Sequence, residues 1–165
     1  MNETPYLQVA QDDPLAADVD ALLGAHLALA HEVTPPGHVH ALDGAGLQSD
    51  DIRFYSARDE DGSLLGIGAL RDLGVGHYEI KSMHTASEHR GRGVGRAILE
   101  HLVEVARRSG GNRVSLETGT MDAFASARAM YAGYGFVVCE PFGDYEPVPN
   151  SVCMTFILSE VSNLP

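Results

Sequence analysis

The chain has 165 residues and a mass of 17.6 kDa, the size of one domain. With 44% hydrophobic and 21% charged residues it holds the material for one sizeable core, which excludes a disordered chain. Eleven Lys and Arg stand against 23 Asp and Glu, and the net charge of −12 opposes binding to nucleic acid or to an anionic membrane surface.

In chain order, residues 5–10 suit a short first strand, and Asp12-Asp13-Pro14 reads as a helix start. Leu15, Val19, Leu22, Leu23 and Leu27 follow at helical spacing until Pro35-Pro36 ends the helix near Val33. A short second helix is expected over 39–47. Two strands, 52–58 and 64–70, flank Asp61-Gly62, a dipeptide that favours a hairpin because Gly accepts positive φ, so this pair should be antiparallel. Residues 77–85 read as another strand; Val94, Ile98, Leu102 and Val105 mark a helix that stops at Gly110-Gly111. A strand over 113–117, a helix over 124–134 closed by Gly135, and strands over 136–140 and 151–158 complete the chain. This order predicts an α/β protein with a mixed sheet, antiparallel early and parallel where a helix connects strands.

No secretion signal opens the chain, and no apolar run approaches the ~18 residues of a membrane span, so a cytoplasmic location without membrane partners is expected. Cys139 and Cys153 have neither metal-ligand nor redox-motif spacing. Reduced thiols are expected, and no metal: His26, His31, His38 and His40 match no ligand pattern.

Ligands of such sheets favour a strand-to-helix turn where neighbouring strands diverge. Here that turn is Arg90-Gly91-Arg92-Gly93-Val94-Gly95-Arg96. Glycines let the backbone turn tightly and bring bare N–H groups to a ligand, the helix adds the positive end of its dipole, and three arginines reinforce both. The turn lacks the Gly-Lys-Ser/Thr of a nucleotide-triphosphate loop and the third glycine of a dinucleotide fingerprint. A phosphate or pyrophosphate site remains, with an arginine-rich turn that only starts a helix as its alternative. The charge distribution agrees: residues 1–61 hold 12 acids against Arg53 and Arg58, whereas seven of the eleven cations fall between Lys81 and Arg113.

Arg90-x-x-Gly93-x-Gly95 resembles the Gln/Arg-x-x-Gly-x-Gly/Ala signature of the Gcn5-related N-acetyltransferases (GNAT), at the same place in the element order. Ala127-Arg128-Ala129-Met130-Tyr131 followed by Gly135-Phe136 is similar to that family's Ala-x-x-x-Tyr-x-x-x-Gly-Phe run. Pro35-Pro36-Gly37-His38-Val39-His40-Ala41-Leu42, Glu79-Ile80-Lys81-Ser82-Met83, Leu116-Glu117-Thr118-Gly119 and the run from Cys139 to Tyr145 resemble a bacterial small-molecule or indole-acetate-labelled subgroup. One position departs: many members carry Asn three residues before the helix alanine, and this chain has Phe124.

The resemblance implies one GNAT acyl-CoA N-acyltransferase domain over 1–165, with a twisted mixed sheet of about seven strands and four main helices. It implies acetyl-CoA as cosubstrate, its pyrophosphate on Arg90, Gly91, Arg92, Gly93, Val94, Gly95 and Arg96, and its pantetheine arm paired to the strand edge at Met83, His84 and Thr85. Tyr131 then faces the CoA sulfur as the acid for the leaving thiolate. Glu79 is the candidate base, directly or through water, and its alternative is a salt-bridged carboxylate partnered by Lys81, which strand alternation puts on the same face. His84 is a second candidate base because an imidazole titrates near neutrality. His38, His40, Thr118 and Tyr145 are candidate contacts to a small amine-bearing acceptor. Neither cysteine stands beside a candidate base, so direct attack in a ternary complex is expected rather than an acyl-enzyme. A non-catalytic acyl-CoA sensor or interaction module is the alternative, and the resemblance leaves a homodimer open.

Overall fold

The computed structural model of the chain describes residues 6–34 and 41–158. Its elements are β1 (Gln8–Gln11), α1 (Ala17–Val33), β2 (Ile52–Arg58), β3 (Leu64–Asp72), β4 (His77–Thr85), α2 (Val94–Arg108), β5 (Arg113–Gly119), α3 (Ala125–Tyr134), β6 (Val137–Cys139) and β7 (Ser151–Ile157). They form one seven-stranded sheet in the order β1-β2-β3-β4-β5-β7-β6. Every pairing is antiparallel except β4 with β5, which α2 connects.

Alternation along the strands sorts two cores onto the two faces. Val19 and Leu23 of α1 pack with Leu47, Phe54, Ile67 and Ala69 on one face. On the other, Val94, Ile98, Leu99 and Leu102 of α2, with Tyr131 of α3, pack on Tyr55, Ala57, Leu70, Tyr78, Ile80, Val114 and Leu116. The sheet therefore lies between α1 and the α2–α3 pair. Gly66 and Gly68 of β3 allow α2 this close, since a Cβ on Gly68 would stand 2.7 Å from Ile98 and 2.8 Å from the Met83 sulfur.

Three expectations change. Three α-helices, not four, lie among the described residues, and over 41–47 the expected second helix is only the start of a single 3-10 turn, Gly46–Gln48. Its cause is local: the Asp43 carboxylate accepts from the Gly46 N–H at 2.8 Å, and glycines 44 and 46 disfavour a helix. Residues 39 and 40 of that stretch lie outside the described residues. Helix α1 begins at Ala17 rather than beside Asp12-Asp13-Pro14, because the carboxylates there are otherwise engaged. Asp13 accepts from the Leu15 N–H, and Asp12 accepts from Ser56 and Arg58. The first strand starts at Gln8, later than residue 5.

Candidate active site

Strand β4 pairs with β5 only from His77–Arg113 to Ile80–Leu116. Beyond that point β4 stays on β3 and β5 stays on β7, so the two strands splay and Lys81–Thr85 turns an unpaired edge into the gap. At the same place β4 carries one extra residue: Ala69 faces Lys81, but Ile67 faces His84, which leaves Ser82 and Met83 opposite Gly68. This is a β-bulge, and Ser82 takes it up with φ +57°, a left-handed conformation that a side chain disfavours. Its Oγ is buried and, among the described residues, is the side-chain polar atom left without a hydrogen-bond partner.

A cavity of about 130 Å³ runs into the splay. On the α1 side it is lined by His26, Glu79, Lys81, Glu117 and Tyr145; on the α2–α3 side by Met83, Phe124, Ala127 and Tyr131; Ser82 and Thr118 line it as well. It thus crosses the sheet where two strands part. Glu79 is 3% exposed. Tyr145 donates to its Oε2 at 2.5 Å, and Lys81 Nζ donates to Oε2 at 3.2 Å and to the Tyr145 hydroxyl at 3.0 Å. Glu79 has the salt-bridge partner that strand alternation pointed to, and it also faces the cavity. Burial first, then the Glu79 charge and hydrogen bond, push the Tyr145 hydroxyl above the usual phenol range, so it stays protonated. Glu117 accepts from Ser151 at 2.7 Å. The two carboxylates outnumber the single lysine around this space.

Tyr131 is 5% exposed, and burial alone raises its hydroxyl above the usual phenol range. Phe124, at the position where many family members carry Asn, packs on Gly119: a Cβ on Gly119 would stand 2.5 Å from its ring. Arg128 holds this corner by donating to the carbonyls of Gly119 and Met121 at 2.7 and 2.9 Å.

The glycine-rich turn follows β4 directly. Gly91 and Gly93 have φ of +76° and +82°, values that glycine adopts without cost, and open space lies where their side chains would be. Helix α2 has no side-chain cap at Gly93, so its first N–H groups remain available. Arg90, Arg92 and Arg96 are exposed; Arg96 pairs with Glu100 at 3.0 Å, and Val94 is buried in the core. These features fit an acyl-CoA: an extended amide chain for the open edge of β4, a buried unpaired hydroxyl in the splay, and an anion at an uncapped helix start.

The Acetyltransferase (GNAT) family model matches residues 25–136, which spans both the turn and Tyr131. The chain belongs to the GNAT acetyltransferase family. It is 42% identical to the uncharacterized N-acetyltransferase YsnE of Bacillus subtilis over 149 residues, 90% of this chain and 98% of that one. It is 34% identical to the IAA acetyltransferase of Azospirillum brasilense over 151 residues, 91% of this chain and 97% of that one. Among solved structures, a Klebsiella pneumoniae protein classed with the acyl-CoA N-acyltransferases superposes with a TM-score of 0.76 at 26% identity, covering 93% of this chain and 98% of that one. This GNAT chain is therefore an acetyltransferase enzyme, and its fold is that of an acyl-CoA user.

Of the residues singled out in the sequence, Glu79, Met83, Thr118, Tyr131 and Tyr145 share the one cavity. His84 and Arg90 line a separate groove beside α1. His38 and His40 lie outside the described residues. Among the described residues no three metal-binding side chains converge, and no helix is long and apolar enough to cross a membrane. Among the lining residues that the sequence did not mark as site residues are His26, Ser82, Glu117 and Asn150.

Proposed function

We propose that the protein transfers the acetyl group of acetyl-CoA to the primary amine of a small molecule by direct attack within a ternary complex. The observation that carries this reading is the cavity through the splay, with Glu79, Lys81 and Tyr145 on one side of the sheet and Tyr131 on the other. Acyl transfer between an amine and a thioester needs a base on the acceptor side and a proton donor on the thiol side, and the sheet separates these two groups.

In this reading the turn from Arg90 to Arg96 holds the pyrophosphate, and the open edge at Met83, His84 and Thr85 pairs with the pantetheine amides. The acceptor enters beside Glu79, Glu117, Thr118 and Tyr145, where the excess of carboxylate favours an ammonium group. Glu79, directly or through a water, takes a proton from the nitrogen. The nitrogen then forms its bond to the carbonyl carbon as the carbon–sulfur bond breaks. The Ser82 hydroxyl donates to the carbonyl oxygen as negative charge develops there. Tyr131, kept protonated by burial, donates to the departing thiolate, and the N–H proton that the nitrogen sheds as it becomes an amide replaces the one it gives. Cys153 takes no part, because burial pushes its thiol up to about 11 and leaves little thiolate at neutral pH.

The test is thiol release from acetyl-CoA across a panel of primary amines. Release above the rate without acceptor for at least one small amine is expected. Saturable acetyl-CoA binding with no release for any of them would support a sensor and overturn the reading.

A further inference from the structure

An acceptor amine brings its neighbouring groups with it. In an α-amino acid the carboxyl carbon lies two bonds from the nitrogen, about 2.5 Å away. A nitrogen within hydrogen-bond reach of Glu79, about 3 Å, therefore carries that carboxylate to within about 6 Å of the Glu79 carboxylate. This is the enclosed part of the cavity, where Glu79 is 3% exposed. The charges around that point decide whether such a molecule is accepted.

All eleven Lys and Arg lie among the described residues, and of them only Lys81 lines the cavity. Its side chain is 8% exposed and donates to Glu79 at 3.2 Å and to the Tyr145 hydroxyl at 3.0 Å. Glu79 thus balances its charge, and a Lys81 that swung to a substrate carboxylate would leave Glu79 buried without a counter-charge. His26 adds no positive charge. Burial lowers its pKa, and its Nδ1 meets that of His84 at 3.1 Å, a contact that needs a lone pair on one of the two rings. Tyr145 keeps its proton. Glu117 is the charge left over: Ser151 donates to its Oε1 at 2.7 Å, which holds the carboxylate in place without neutralising it.

We infer that the acceptor is a primary amine with no carboxylate on the carbon that bears the nitrogen, and that Glu117 sets this preference. The inference rests on the acetyl-transfer reading above and narrows its acceptor from small amines in general to this class. Glu117 draws the ammonium of such an amine, and nothing on the molecule is repelled. An α-amino acid instead brings a second negative charge into a space that already holds one in excess. At about 6–8 Å and an effective dielectric of about 20, that repulsion weakens binding by about 30–100-fold, and water at the open side reduces it to about 10-fold. The cavity is partly open, and Thr34, Ala41 and Asn150 along it are half-buried rather than buried. A carboxylate several bonds from the nitrogen reaches this wetter part and keeps its hydration, so the exclusion fades as the spacer lengthens.

The test measures kcat/KM with acetyl-CoA for matched acceptors: isoamylamine, leucine and leucinamide, then ethanolamine, serine and serinamide. Each amine is expected to exceed its amino acid by about 10-fold or more, and each amide, equal in size to the acid but without its charge, to side with the amine. Along glycine, 4-aminobutyrate and 6-aminohexanoate the value is expected to rise as the carboxylate moves away. Glu117→Gln keeps an oxygen for Ser151 and loses the charge, so its amine-to-acid ratio is expected to fall toward one; damage to the fold would lower every acceptor alike and leave the ratio unchanged. An amino acid used as well as its amine, or a ratio that Glu117→Gln does not move, would overturn the inference. Calorimetric titration of protein saturated with CoA gives a readout that needs no turnover: the amines are expected to bind, and the amino acids to bind at least about 10-fold more weakly. That order of binding without acetylation of any acceptor counts against the acetyl-transfer reading alone. Acetylation without that order counts against the selectivity alone, and neither binding nor acetylation would overturn both.

Discussion

Replacing Ser82 by Gly should stabilise the protein and slow it. The left-handed conformation at φ +57° costs a residue with a Cβ about 1–2 kcal/mol, and glycine removes that cost. The buried Ser82 Oγ has no partner, a loss of about 1–3 kcal/mol that also disappears with the side chain. Glycine gives back about 0.5–1 kcal/mol through the greater freedom of its unfolded chain. The net gain is about 1–4.5 kcal/mol, which for a chain of this length raises the melting temperature by about 2–4 °C per kcal/mol. The same substitution removes a donor from the carbonyl oxygen, and loss of one such donor lowers kcat by up to about 10²–10³-fold. Differential scanning calorimetry and steady-state kinetics on one preparation measure both effects. Ser82→Ala separates them, because alanine loses the hydroxyl but keeps the strained backbone: it should share the drop in kcat and gain less stability. A lower melting temperature in Ser82→Gly, or unchanged kcat in both variants, would refute the reasoning.

Three other outcomes follow from the same geometry. Tyr131→Phe should lower kcat by about 10–100-fold with little change in KM for acetyl-CoA, as expected when a proton donor acts only on the leaving group; equal kcat would remove Tyr131 from the chemistry. Val75 is 96% exposed at φ +51° in the β3–β4 turn, far from the cavity, and Val75→Asn should stabilise the protein by about 1 kcal/mol at unchanged kcat, because Asn tolerates the left-handed region. Burial is the first cause that lowers His26, His77, His84 and His101, so their neutral rings contribute stability that is fully present above the unfolded pKa near 6.5. That contribution is lost as pH falls from there through about 4, the value for His84. In about 1 M salt, which screens the repulsion of the −12 net charge, the melting temperature should therefore fall steadily from pH 7 to 5; a flat or rising trend would contradict this.

The strands and helices that frame the site were legible because their signals are local. The arginine–glycine turn is one case: its conformation needs glycine at 91 and 93, so the sequence carries the requirement openly. The common face of Glu79 and Lys81 is another, since alternation alone sets it. Tyr145 was legible as a loop residue and candidate acceptor contact, but not as the partner of Glu79. Its bond to Glu79, 66 positions away, depends on residues 140–150 folding back over the sheet, and Phe142 beside His77 anchors that return. The bulge at Ser82 had no signal at all: nothing in Lys-Ser-Met marks a left-handed residue, and the register shift between β3 and β4 imposes it. His26 was readable as a helix residue, but its approach to His84 comes from how α1 lies across the sheet. Over 41–47 the expected second helix gives way for the opposite reason, because Asp43, Gly44 and Gly46 carry an equally local signal for a turn.

The most direct test of acetyl transfer through the sheet is the identity of the product. Purified protein is mixed with acetyl-CoA and the amine panel, and the quenched mixture is analysed by mass spectrometry beside a count of free thiol. An N-acetylated primary amine is expected in equal amount to CoA thiol, with no acetyl group left on the protein. Thiol release that yields acetate or an acetylated enzyme, with no amide, would contradict it.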